Sequence, residues 1–330
     1  MSIKSIQRLY GIVKLDEPLI CFSDVLGLSQ KIAIGGISGF IHLPKFSQKN
    51  IVNDSGFSPR LTAPKYAKNF KCGNDKIYWG RLIQYHQDLT KDFLCTAEIH
   101  EVLITFDVNE VEIINSGNSI RNNFDGWFKL FVNYVYLVTK QNRDNNIEIN
   151  QKSVNLDFFY WGNDKKAVRP YDDAPSEISI TMRDDQTTLT KKQFKKICTW
   201  ISENKELSIE FLIQLEAYSA HKNKDYRKAI IETAVASEIA ITKAIQEYFS
   251  AKNISYSDDL IKKFRMLGGR IELANILGIV LPKTDLSKLL VEPRNDVIHK
   301  AKFANQSVSM SAIQITDEIL KLYNPNLFTR

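Results

Sequence analysis

The stretch Asp225–Asn253, DYRKAIIETAVASEIAITKAIQEYFSAKN, decides how the C-terminal part of this chain folds. Ile230, Ile231, Val235, Ile239, Ile245 and Phe249 recur at helical spacing, and alanines fill the positions between them. Asp225 is placed to cap the first turn and Asn253 to end the last. An apolar set this wide predicts the central helix of a bundle rather than a surface helix with one narrow stripe.

Helical patterns continue on both sides. Upstream, TLTKKQFKKICTWISE offers Thr190 as N-cap, followed by Phe194, Ile197 and Ile201. SIEFLIQLEAYSAHK, beginning at Ser208, sets Phe211, Leu212, Leu215 and Tyr218 on one face. Downstream come SDDLIKKFRMLGG, GRIELANILGI, TDLSKLLVEPRNDVIHKA and SMSAIQITDEILKLY. Short connections between such segments predict antiparallel neighbours and an all-α bundle over residues 190–330.

Before residue 190 the pattern changes. EVLITFDVNEVEII alternates Val102, Ile104, Phe106 and Val108 with polar residues, the period of a half-buried strand. NIEIN, VNLDFFYW and SEISITM are further short strand-like runs bounded by turn formers. GGISG (Gly35–Gly39) and NSGNS (Asn115–Ser119) carry turn chemistry. NFDGWFKLFVNYVYLVTKQ sets Trp127, Phe131, Tyr134, Val135 and Val138 at helical spacing and reads as a helix, although its aromatics and valines equally suit a strand; aromatics at this density are more often core than a surface for stacking bases. The expected fold class is therefore α+β, with a β-rich domain over residues 1–189 and a helical domain over 190–330. Two domains also suit a chain of 330 residues.

Composition narrows the function. A 44 % hydrophobic content and a mean hydropathy of −0.24 fit a globular protein. No apolar run approaches the roughly 18 residues that would span a bilayer. The N-terminus shows no signal-peptide block, so a cytoplasmic protein with no membrane partner is expected. Cys21, Cys72, Cys95 and Cys198 are scattered without a C-x-x-C pair and read as buried thiols. Residues 1–190 balance 22 Lys and Arg against 22 Asp and Glu, and the net charge of +6 arises entirely downstream. A basic C-terminal domain admits a polyanionic partner such as RNA.

Metal, nucleotide and nucleophile signals are weak. His42, His86 and His100, with Asp88 and Glu98, have no H-E-x-x-H spacing. GGISG lacks the Gly-Lys-Ser/Thr ending of a P-loop, and no G-x-S-x-G is present. Glu232 and Glu238 are six apart on the long helix and face different ways. No metal or cofactor is implied.

One stretch carries chemistry. In LLVEPRNDVIHKAKF, Asn295 and His299 share a helix face and Arg294 lies about 100° round from Asn295. RNA can be cut by its own 2′-hydroxyl, given help with protons and with the charge on phosphorus. Histidine suits the first task and the arginine fork the second. Spacing alone equally suits a solvated helix face with Arg294 paired to Asp296 or Glu292. Lys300 and Lys302 stand where they would hold RNA phosphates. Pro293 would either start a helix at this stretch or kink a longer one.

The arginine, polar residue, three residues and histidine, on the penultimate helix of a C-terminal bundle, resemble the HEPN superfamily over roughly residues 205–325. The architecture is similar to ApeA-like anti-phage HEPN proteins. The resemblance implies a metal-independent endoribonuclease acting as a toxin or abortive-infection effector. In it His299 would be the acid/base, Arg294 would stabilise the phosphate and Asn295 would position. It also implies a homodimer through the helical domain and control by a phage-derived trigger or an antitoxin. The N-terminal domain would then sense that trigger, restrain the nuclease or select RNA. The alternative is a non-catalytic dimerising module, or a defence-complex subunit, whose N-terminal domain binds a protein or ligand.

Overall fold

The computed structural model describes residues 6–46, 59–67, 77–84, 95–141, 156–161, 167–168, 188–203, 205–255, 257–300 and 302–325. NIEIN, SEISITM, Cys72, His86 and Asp88 lie outside the described residues. The chain divides into two compact units, Met1–Glu206 and Leu207–Thr329.

The first unit is an antiparallel sheet in the order β2-β3-β5-β1-β6-β7, with β4 also paired to β5. The strands are β1 (Ile6–Phe22), β2 (Ser29–Ile34), β3 (Ile37–His42), β4 (Gly80–Gln84), β5 (Thr96–Asn109), β6 (Leu156–Trp161) and β7 (Ala167–Val168). β5 is central. It pairs with β1 along most of its length, with β3 near Phe106 and with β4 near Ala97. That position corrects the half-buried reading: Val102, Leu103, Ile104, Thr105 and Phe106 are all buried, so both faces of β5 are covered. The β2–β3 hairpin turns at Gly35 and Gly36, whose φ values of +58° and +79° suit glycine. Gly39 belongs instead to β3, where a Cβ would lie 2.3 Å from the Thr105 carbonyl oxygen.

β5 does not run on to Ile114. A 3₁₀ turn at Glu110–Glu112, capped by the Asn109 side chain, leads into α1 (Ile113–Thr139). NSGNS thus lies inside a helix rather than a turn. Ile113, Gly117, Ile120, Phe124, Trp127 and Phe131 form its buried stripe, and burial of that stripe overrides the turn-forming composition. The helix predicted around Trp127–Val138 is the second half of the same element.

α2 (Lys191–Ser202) begins at a capping box between Thr190 and Gln193. It belongs to the first unit, so the unit boundary falls at Glu206/Leu207 and not at 189/190. The reason is packing. Phe194 meets Phe131 edge-on, Trp200 lies 5.3 Å from Tyr134, and Ile197, Cys198 and Ile201 are buried. The approach to α2 is clipped onto β1: Phe22 N–H donates to the Leu189 carbonyl and Leu189 N–H to the Ile20 carbonyl, both at 3.0 Å.

The second unit is all helical among the described residues. It comprises α3 (Ile209–Lys222), α4 (Tyr226–Ala251), α5 (Ser257–Lys263), α6 (Met266–Ile276), α7 (Glu292–His299) and α8 (Gln306–Tyr323). α4 packs against α3, α8, α6 and α7 and is the central helix. Its buried seam differs from the large apolar set read in the sequence. Ala229, Ile230, Thr233, Ala234, Ala236, Ser237, Ala240 and Ile241 are buried, while Val235 is 39 % exposed. Small residues let α3 and α8 approach closely, and polar atoms lock the register. Ser237 Oγ and Thr316 Oγ1 lie 2.9 Å apart, and Gln214 Nε2 donates to Asp317 Oδ1 at 3.0 Å. Tyr218 also donates to Asp317.

Among the described residues no helix is long and apolar enough to cross a membrane. Cys21, Cys95 and Cys198 are buried thiols, and burial raises Cys21 and Cys198 well above the ordinary thiol range.

Candidate active site

α7 is short because of its own sequence. Leu286–Val291 runs into it as a helix that widens to π geometry at Ser287–Val291, immediately before Pro293. Proline has no N–H, and its ring would strike the carbonyl four residues back, so the wider turn accommodates it. Pro293 therefore lies within a longer helix and marks the entry to α7. Val297, buried among the bundle helices, anchors α7, which packs on α4. At the far end the N–H groups of Lys300 and Lys302 both reach the Asp296 carbonyl at 3.2 Å and fold the chain off the helix.

This scaffold presents the three residues singled out by type and spacing. Arg294 and Asn295 are half-buried and bonded to each other: Arg294 Nη1 donates to Asn295 Oδ1 at 3.0 Å. That bond takes one of the two lone pairs of the amide oxygen. Asn295 keeps its N–H donors, and Arg294 keeps the rest of its five. The pair thus offers hydrogen-bond donors outward and a full positive charge, the character of an anion site. Arg294 does not pair with Asp296 or Glu292 as a solvated-face reading would have it.

His299 is exposed at the last position of α7, and no hydrogen bond to it is found among the described residues. At about 100° per residue it lies some 140° round the helix from Arg294 and some 40° from Asn295. One copy of α7 thus carries the Arg294 guanidinium and the His299 ring on different faces, with Asn295 between them and nearer His299.

Lys300 and Lys302 are exposed and not free. Their ammonium groups take the two oxygens of Asp296, at 2.8 and 2.9 Å. Both lysines together hold the Asp296 carboxyl below its usual range. Such surface pairs contribute little and exchange readily for another anion. The sequence offered Asp296 only as a partner for Arg294; an acid four residues before one lysine and six before another is the signal for the pairing it makes.

Beyond Lys302 the surface is concave. A pocket of about 270 Å³ is lined by Lys224, Asp225, Tyr226, Arg227, Lys302, Phe303 and Ala304. Its cations come from the dense charge run at HKNKDYRK (His221–Lys228), which the sequence displays openly, and from Lys302.

The other titratable candidates have surroundings of their own. His42 is 3 % exposed and sits between Ser29 Oγ at 2.7 Å and Thr105 Oγ1 at 2.8 Å. His100 lies 3.4 Å from Glu98, whose other oxygen accepts from Arg81 at 2.9 Å. Among the described residues no group of three or more His, Cys, Asp and Glu gathers to hold a metal. Glu232 is half-buried on α4, and burial together with the nearby Glu216 raises its carboxyl above the usual range. Comparison of the chain with family models, curated proteins and solved structures gives no match.

Proposed function

We propose that this protein is a metal-independent endoribonuclease of HEPN type. The observation that carries the reading is the donor-rich Arg294–Asn295 pair on the same short helix as an exposed His299 that has no hydrogen bond among the described residues. The 2′-oxygen attacks the adjacent phosphorus and the P–O5′ bond breaks, leaving a 2′,3′-cyclic phosphate and a 5′-hydroxyl. The 2′-hydroxyl proton passes to a base, and a second proton reaches the departing 5′-oxygen. His299 performs this proton transfer, Arg294 stabilises the negative charge on the phosphoryl oxygens, and Asn295 fixes the guanidinium. Arg294 and His299 lie on different faces of α7. Two copies facing across a two-fold axis therefore supply one site with both a base and an acid. In this reading the protein is a homodimeric toxin or anti-phage effector, and the N-terminal sheet domain senses a trigger, restrains the nuclease or selects the RNA.

The test is induced expression of wild type, His299→Ala and Arg294→Ala at matched soluble levels, with and without phage challenge, followed by RNA analysis in the presence of EDTA. Cleavage products ending in 2′,3′-cyclic phosphate, lost in both variants, are expected. Growth arrest or phage protection that survives both substitutions rules the nuclease out.

A second reading, a non-catalytic dimerising module, is favoured by one feature. Ile276 and Val280 are 65 % and 68 % exposed around the α6 C-terminus. Retained biological activity in both site variants, lost on Ile276→Asp, would select it.

A further inference from the structure

We infer that the pocket lined by Lys224, Arg227, Lys302 and Phe303 binds a single, unpaired nucleic-acid strand, with the cations on its phosphates and Phe303 against a base. Four observations converge. The pocket, at about 270 Å³, is just below the roughly 300–1,000 Å³ typical of ligand sites and suits a nucleotide fragment better than a whole ligand. Lys224 and Arg227 are exposed, and no carboxylate pairs with them among the described residues. Asp225, the one acid in the lining, caps α4 by accepting from Lys228 N–H at 3.0 Å, so the lining sets three cations against one carboxylate. Phe303 is fully exposed, the most exposed large hydrophobic side chain among the described residues, although it stands among three cations rather than in an apolar patch.

An exposed aromatic ring beside unpaired cations matches the chemistry of a nucleic-acid strand, whose charged backbone alternates with stackable faces. A duplex hides those faces, and a simple phosphate has none. An acidic protein segment would satisfy the cations and leave the ring idle. Lys302 also links the pocket to α7, because its N–H and its ammonium group are both held by Asp296, three residues before His299. Placing this subsite on the strand flanking the scissile bond rests on the ribonuclease reading; the binding itself does not.

The experiment therefore separates the two. Full-length protein is titrated into a labelled single-stranded oligodeoxynucleotide of about a dozen nucleotides, followed by anisotropy between roughly 50 and 200 mM salt. This probe lacks the 2′-hydroxyl and is not a substrate. Phe303→Ala is expected to weaken binding roughly tenfold and leave the salt dependence unchanged, since stacking is not ionic. Lys224→Ala and Arg227→Ala are each expected to flatten the slope of log affinity against log salt by about 0.7, one phosphate contact each. A duplex of the same length should bind more weakly and ignore Phe303→Ala. Because the probe cannot be cleaved, a failed nuclease reading leaves the binding result intact. Unchanged thermal melts check that these exposed substitutions leave the fold alone. Wild-type affinity in all three pocket variants would overturn the proposal. So would equal binding of the duplex, or competition by polyglutamate as strong as by the oligonucleotide, which would point to an acidic protein segment.

Discussion

In the N-terminal unit, His42 is 3 % exposed and spends both ring nitrogens on the hydroxyls of Ser29 and Thr105. In the C-terminal unit, His299 stands exposed at the end of α7 with no hydrogen bond among the described residues. Burial pushes His42 down to about 4, assisted by the nearby Arg8 charge, so the ring is neutral near pH 7 and ties β2 to β5 through β3. His299 has water on one side and the Arg294–Asn295 pair nearby on its own helix. The same side chain is a strut in one unit and an exposed ring with no hydrogen bond among the described residues in the other. The difference lies in the partners and not in the residue.

Exchanging the two roles by mutation is the strongest way to break that comparison. His299→Ala should lower RNA cleavage by roughly 10²–10⁴-fold, the usual worth of a general acid or base, with no change in melting temperature. His42→Ala should leave the chemistry alone and cost the N-terminal unit roughly 2–4 kcal/mol, through a cavity and two hydroxyls without partners. The pH dependence has a definite sign. The folded state binds a proton on His42 less readily than the unfolded state, whose value is the ordinary 6.5. Stability from neutral His42 is therefore complete above 6.5 and is lost as pH falls toward about 4. Urea denaturation across that window should show the gap between wild type and His42→Ala closing as pH falls. A constant gap would mean the ring acts by shape alone.

Much of this contrast was legible beforehand, and the reasons for the rest are physical. Caps and periodicity marked α2, α3, α4 and α8, because Thr190, Asp225 and apolar residues at helical spacing act locally. The NSGNS segment misled because its composition favours a turn while its buried stripe, running from Ile113 to Phe131, favours a helix, and burial is a tertiary effect. The α4 seam misled in the same way. Alanine, serine and threonine read as filler, yet they form the contact surface, and Val235 faces outward. At the site, residue types and spacing pointed to Arg294, Asn295 and His299. The Arg294–Asn295 bond depends on rotamers that no spacing encodes, whereas the Asp296 clamp follows an acid four and six residues ahead of two lysines. Lys224 and Arg227 reach Lys302 only because the chain between them folds.

Glu101 sharpens the comparison from within the N-terminal unit, since there burial is a liability. It pairs in register with Lys14 across β1 and β5, and its Oε2 is buried without a hydrogen-bond partner. Burial pushes its carboxyl up to about 7, against attraction from Lys14. The folded state holds this proton more tightly than the unfolded state, so stability is lost as pH rises from 4.5 to about 7. Glu101→Gln should therefore gain about 1–2 kcal/mol near pH 8, a screened fraction of 1.36 kcal/mol per pH unit, and nothing at pH 4. Denaturant melts at the two pH values read this directly. Equal gains at both would assign the effect to packing.

The smallest expected effect tests whether the exposed end of α7 is available in the way the His42 site is not. Asp296 holds Lys300 and Lys302 through both of its carboxylate oxygens, and all three side chains reach solvent. Exposed pairs of this kind contribute little to stability, so Asp296→Asn should leave the melting temperature unchanged. It removes one negative charge and releases two cations at the edge of the Lys224–Phe303 pocket. Affinity for a single-stranded oligonucleotide should rise severalfold, and the salt dependence should steepen by about 0.7, the one phosphate contact that Lys300 adds to those of the wild-type pocket. The opposite result is equally informative. If Asp296→Asn weakens binding, the clamp orients the lysines instead of occupying them. The end of α7 would then resemble His42, a side-chain arrangement held in place by its partners.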